Sequence, residues 1–292
     1  MKNRTWSLLV FLAFLLIGPV AGAQPKTFIV EYVLGTAEYR SGSVWKPCFE
    51  GDSLPVDALL RIGNRSILEL RQGDRRLSIV REGTYAISSL AAPRPARPGL
   101  AETLVRKLRT LVESDGTSIT VAGVRATEVL GTGFYASGGD DAKRSGLAAM
   151  GSGDYALAVE QFAYALAEAV TPAEEDELRI LLAAVQALDD RPGAALGTLR
   201  AIADPVPASK LLEASILLKA GDALEALSLA RSVTAAQVSP IQASEAAELE
   251  GLALEAEGRT TEAVEAYRRA SAAAPGSRSA ARSEERLQAL GA

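Results

Sequence analysis

Four turn residues in the second half of the chain are each followed, five positions later, by alanine: Gly153 with Ala158, Asp190 with Ala195, Gly221 with Ala226 and Gly258 with Ala263. They recur 37, 31 and 37 residues apart, near the ~34-residue period of stacked helix-turn-helix units. This periodicity constrains the fold more than any other feature. A helical hairpin of that length cannot bury its apolar face alone and must stack on its neighbours. In the last copy Gly251, Gly258, Ala263, Tyr267, Ala270 and Pro275 fall at 0, +7, +12, +16, +19 and +24, and Gly146, Gly153, Ala158, Phe162 and Ala165 repeat the spacing in the first. The small residues let two helices approach closely while the aromatic fills the gap beside them. Copies two and three carry Leu199 and Ala230 in place of the aromatic, and copy two has Asp190 where the others have glycine. The stretch ARSEERLQAL (281–290) is expected to cap the stack with a helix whose outer face is polar.

This pattern resembles the tetratricopeptide repeat, closely in copies one and four and loosely in two and three. The resemblance implies an all-α solenoid with a concave groove lined from the first helix of each pair. On that alignment Lys143, Glu177, Ile180, Leu211, Lys219, Glu248, Leu252 and Glu255 line the groove. Glu248 and Glu255, on either side of Leu252, would favour a basic partner peptide.

The first half has a different texture. From Phe28 to Leu90 glycine recurs every few residues between short β-prone pieces: FIVEYV, TAEYR, SVWKP, ALLRI, SILELR, LSIV and TYAIS. Leu68 and Leu70 alternate with Glu69 and Arg71, the period of two of a half-buried strand. A helix here would carry a glycine in nearly every third turn, at about 1 kcal/mol each. The expected fold is therefore α+β in two domains, an all-β sandwich or roll followed by the helical solenoid. Between them AAPRPARPG (91–99) reads as a semi-extended linker, and leucines 100, 104, 108 and 111 mark an amphipathic helix over 100–113. Arg106, Lys107 and Arg109 give that helix a solvated basic face. Beyond it, VAGVRATEV (121–129) is expected to return to the β-domain as its closing strand, with Arg125 paired to a carboxylate. The expected boundaries are 24–136 for the β-domain and 137–292 for the repeats.

The first residues follow a secretory pattern: Lys2 and Arg4, an apolar run from Ser7 to Val20, then Ala21-Gly22-Ala23. The run is shorter than the ~20 residues of a membrane span, so residues 1–23 are expected to be a cleaved signal peptide, an uncleaved anchor being the alternative. Removal would leave 29 basic and 36 acidic side chains, a poor balance for nucleic acid, which needs clustered cations. The chain has no histidine and one cysteine. Ser-His-Asp and Cys-His chemistry are thereby excluded, and a structural zinc site lacks its usual ligands. Cys48, beside Trp45 and Phe49, is expected to be buried. Carboxylates of the β half (Glu31, Glu38, Glu50, Asp52, Asp57, Glu69, Asp74) show no spacing that singles out a catalytic pair.

The segments YVLGTAEYR (32–40), WKPCFEGDSL (45–54), ALLRIGNRSILEL (58–70) and VAGVRATEV resemble the FecR-like domain of bacterial envelope proteins. Ile62 and Ala126 depart from its threonine and last glycine. The resemblance implies a fold and not a chemistry. Together with the repeats it implies a non-catalytic, exported scaffold of the periplasm or cell envelope, without cofactor or metal, binding an envelope protein or peptide. A FecR-type regulator that senses a ligand or receptor is the alternative.

Overall fold

The computed structural model describes residues 27–90, 118–121, 124–127, 138–233 and 238–292. The expected signal peptide, the proline-rich linker and the helix over 100–113 lie outside them.

The β half is a sandwich of two four-stranded antiparallel sheets. One has the order β4 (Ser53–Pro55), β1 (Thr27–Leu34), β6 (Ile67–Gln72), β7 (Arg75–Ile79); the other has β3 (Val44–Pro47), β2 (Ala37–Ser41), β5 (Leu59–Ile62), β8 (Gly83–Ala86). A one-turn helix, α1 (Ile87–Leu90), follows β8. The seven pieces expected to be β-prone become seven of these strands, and β4 is the one not foreseen. Side chains of Phe28, Val30, Leu54, Leu60, Ile62, Leu68, Leu70 and Ile87 fill the space between the sheets. Burial of such side chains, at about 1.5–3 kcal/mol each, is what holds the two sheets face to face.

The period-two reading of β6 is correct about direction. Leu68 and Leu70 enter the sandwich core, and Ile67 and Glu69 point the other way. At Ile67 and Glu69 that second face does not meet solvent. Helices cover it, and Ile67 and Val80 belong to the same continuous core as the helical half.

The stretch expected to close the β-domain as one strand is instead split. β9 (Ser118–Val121) and β10 (Val124–Thr127) pair antiparallel with each other, Val121 opposite Val124 and Thr120 opposite Arg125. Among the described residues this two-stranded sheet joins neither four-stranded sheet. Pairing locally satisfies the backbone of both pieces at low loop-closure cost, which a single strand travelling back to a distant sheet edge would not. The side chain of Arg125, and with it the expected pairing, lies outside the described residues.

Among the described residues, four helical hairpins follow. They are α2 (Gly138–Ser152) with α3 (Tyr155–Glu168), α4 (Pro172–Leu188) with α5 (Pro192–Arg200), α6 (Pro207–Ala220) with α7 (Ala223–Ser232), and α8 (Pro240–Ala256) with α9 (Thr260–Ala273). The final helix is α10 (Arg278–Ala289). Their starts are written locally: proline opens α4, α5, α6 and α8, and Asp154, Thr171, Asp222, Ser239 and Ser277 accept from backbone amides of the first turn. The intra-hairpin turns need left-handed backbone. Gly153, Gly221 and Gly258 supply it, and Asp190, at φ 57°, adopts the same conformation despite its side chain. β9 lies against α4.

The repeat signature has a direct physical meaning. A Cβ on Gly146 would sit 2.8 Å from the ring of Phe162, and one on Gly251 would sit 2.5 Å from the ring of Tyr267. Each aromatic, fully buried, therefore packs on the bare backbone of its partner helix.

Candidate functional site

The eight residues expected to line an open groove are used for packing between successive hairpins. Ile180, Leu211, Glu248, Leu252 and Glu255 are buried, none more than 7% exposed. Lys143 donates to Glu177 at 2.8 Å, joining α2 to α4. Lys219 donates to the carbonyl of Ala187 at 3.0 Å and to the Asp190 carboxylate at 2.9 Å, joining α6 to the α4–α5 turn. α4 is buried around its circumference from Ile180 to Ala187, whereas α2 buries one face and Lys143, Glu177 and Lys219 stay partly exposed within their ion pairs. The buried positions have three neighbours: β9 beside α4, the sandwich beside the end of α6, and α10 beside α8.

The seam between sandwich and repeats centres on α5, the second helix of the most irregular copy. Its sequence PGAALGTLR places Gly193 and Gly197 one turn apart. A Cβ on Gly193 would lie 2.7 Å from the Glu69 carboxyl carbon, and one on Gly197 would lie 2.2 Å from the Tyr32 hydroxyl. The two glycines are the landing surface for β6 and β1. Arg191, before α5, provides no side-chain cap. Glu69 provides it from the sandwich, accepting the Gly193 N–H at 2.5 Å and the Ser78 hydroxyl at 3.3 Å. A carboxylate at a helix N-terminus meets both unpaired amides and the positive end of the helix dipole. Burial pushes the Glu69 carboxyl above its ordinary range, opposed by the Gly193 amide and by Arg76.

Polar contacts rim this seam. Arg76 donates to the carbonyl of Asp190 at 2.5 Å and to Glu31 at 2.7 Å. Burial works against it, yet Arg76 and Arg71 together hold the Glu31 carboxyl below its usual value. Arg200 donates to the carbonyl of Arg65 at 3.1 Å and pairs with Glu213 and Glu225. Beside these contacts lies a cleft of about 260 Å³ lined by residues of β7, by Leu90 and by Asp190, Pro192, Lys219 and Ala220. Its two cations are both engaged by carboxylates or carbonyls of the walls.

A second charged cluster sits at the carboxyl end. Arg282 of α10 makes two bonds to Glu248 of α8, at 2.5 and 2.8 Å. Arg286 pairs with Glu255, which also accepts the Tyr267 hydroxyl at 2.9 Å. All four charges are under 10% exposed. Burial and the neighbouring Glu255 raise the Tyr267 phenol well above its ordinary value. The acids expected to attract a basic peptide are thus already neutralised by a basic helix of the same chain.

Residues 211–278, from α6 to the start of α10, match the tetratricopeptide repeat family model. They cover copies three and four. No curated protein and no solved structure matches the chain, and no FecR-like domain is detected. Among the described residues no group of three or more His, Cys, Asp or Glu is placed to hold a metal ion, and no helix is long and apolar enough to cross a membrane. Sequence reasoning missed Glu69, Tyr32, Gly193 and Gly197 as a set. A signal existed in the two extra glycines of α5, in the one copy whose turn is not glycine.

Proposed function

We propose that this protein is a non-catalytic, exported scaffold of the bacterial periplasm or cell envelope that holds protein partners through its repeats. The observation that carries the reading is the stacked Gly–aromatic hairpins together with the tetratricopeptide match over 211–278, an architecture suited to protein–protein contact. The seam favours a scaffold whose two halves move as one piece, because a shared apolar core and a buried helix cap join them. The secretory pattern of residues 1–23 and the FecR-like segments support the envelope location. The test is in-cell crosslinking of the tagged full-length chain with mass spectrometry, alongside sequencing of the mature amino terminus. The reading expects a start at Gln24 and reproducible crosslinks from 138–292 to a defined envelope protein. A cytosolic chain retaining Met1, or crosslinks no richer than those of an unrelated control, would overturn it.

A further inference from the structure

We propose that the face of α8 and α9 bearing Glu248, Glu255 and Tyr267 is a recognition site for a partner helix carrying two arginines four residues apart, and that α10 is its resident occupant. The inference deepens the scaffold reading and rests on it. Three observations lead there.

The first is chemical fit. Glu248 and Glu255 lie seven residues apart, two turns along α8, and Arg282 and Arg286 lie four apart on α10. The pairing at Arg282 is two-pronged, the geometry by which guanidinium recognises carboxylate. This is recognition by charge and direction, such as a site for a basic helix would use.

The second is the composition of the occupying face. The buried residues of α10 are Ser279, Ala280, Arg282, Ser283 and Arg286, with Leu287 and Leu290 only half-buried against the core. Few large apolar groups hold the helix down. Desolvation of buried ion pairs cancels much of their attraction, so α10 is held by matched polar groups, the Ser244–Ser279 hydroxyl contact at 2.7 Å among them, more than by apolar burial. Ser283 is fully buried and its hydroxyl has no hydrogen-bond partner among the described residues, a mismatch that a different helix could repair.

The third is connection. α10 joins the described element before it, α9, through a turn at Pro275 and Gly276, the latter at φ 80°, and it can swing on that turn without unthreading any other described element. Its departure exposes two carboxylates and the Tyr267 hydroxyl, leaving an acidic face that calls for replacement cations.

The test uses the full-length chain and a fluorescent peptide copying residues 277–292. Ala281→Gly and Gln288→Gly, both at exposed positions of α10, lower its helical stability without touching the ion pairs. Binding in trans needs α10 to open, so the apparent affinity scales with the open fraction. The two glycines should tighten peptide binding about tenfold, the equivalent of about 1.4 kcal/mol. A peptide with both arginines changed to glutamate should not bind, and the double variant should remain monomeric in sedimentation. Absence of peptide binding, equal affinity in the two proteins, indifference to arginine reversal, or dimerisation through exchanged α10 would each overturn the proposal. None of these outcomes bears on whether crosslinks to an envelope protein are found, so the two readings fail separately.

Discussion

Replacing Gly193 with alanine tests the seam at its tightest point. The added Cβ would lie 2.7 Å from Cδ and Oε1 of Glu69 and 2.8 Å from its Cγ. Glu69 stands on β6, between β1 and β7, and is 3% exposed, so it has little room to retreat. Restoring ordinary contact would draw the carboxylate back by roughly 0.7 Å, which stretches its bond to the Gly193 amide toward the limit of about 3.2 Å. Overpacking of this kind costs about 1–3 kcal/mol, and a weakened bond to a buried charge costs in the same direction. Alanine returns up to about 1 kcal/mol as the better helix former. The net expectation is a loss of about 1–2 kcal/mol, seen in urea unfolding as a midpoint lowered by roughly 0.5–1 M with unchanged slope. In a Glu69→Ala background the obstructing atoms are gone, so the same substitution should be neutral or stabilising. The double-mutant cycle should therefore give a coupling energy of about 2 kcal/mol. Additivity within about 0.5 kcal/mol would refute the idea that α5 is docked and capped by the sandwich.

Other consequences are measured more simply. Within α2, Gly146→Ala drives a methyl into the Phe162 ring and should lose about 1–3 kcal/mol. Gly151→Ala, with nothing within 4 Å among the described residues, should gain about 0.5–1 kcal/mol, and thermal melts of the pair separate packing from propensity. Glu69→Gln keeps an acceptor for the Gly193 amide and removes the charge that burial disfavours. Because the folded carboxyl titrates above its unfolded value, folded wild type holds the proton longer and loses stability as pH rises through that window. The variant should therefore gain on wild type between pH 4 and pH 7, and an equal gap at both pH values would contradict this. Cys48 is buried and its thiol is pushed up to about 12 by burial, with Asp52 and Glu38 adding to the effect. At pH 8.5 alkylation of the folded protein should be at least about a hundredfold slower than in urea. Above pH 9 the unfolded chain releases this proton first, so stability should fall as pH rises toward 12.

The elements were legible because their signals are local. Glycine spacing and alternation mark the strands of the β half, proline and capping residues mark helix starts, and the Gly–Ala–aromatic register marks hairpins one and four. The seam was not legible for a physical reason. Glu69 alternates with Leu68 and Leu70 as a solvent-facing residue would, and nothing within β6 tells that α5 arrives on that face. The same holds for Glu248 and Glu255. On α8 they read as acids beside a groove, and only the arrival of Arg282 and Arg286, more than thirty residues later, turns them into a buried pair of ion pairs. VAGVRATEV gave its β character correctly, but strand propensity carries no information about which edge a strand will find, and the nearest one, β9, was available at the least entropy. The sequence by itself determined the two textures, the repeat period and the close Gly–aromatic contacts, because these depend on neighbours a few residues or one hairpin away. The tertiary structure alone decided that Ile67 and Val80 of the sandwich join the helical core, that Glu69 caps a helix 124 residues distant, and that Ile180, Leu211, Glu248, Leu252 and Glu255 are buried. Those outcomes depend on which surfaces meet, and a pattern along one segment does not encode its distant partner.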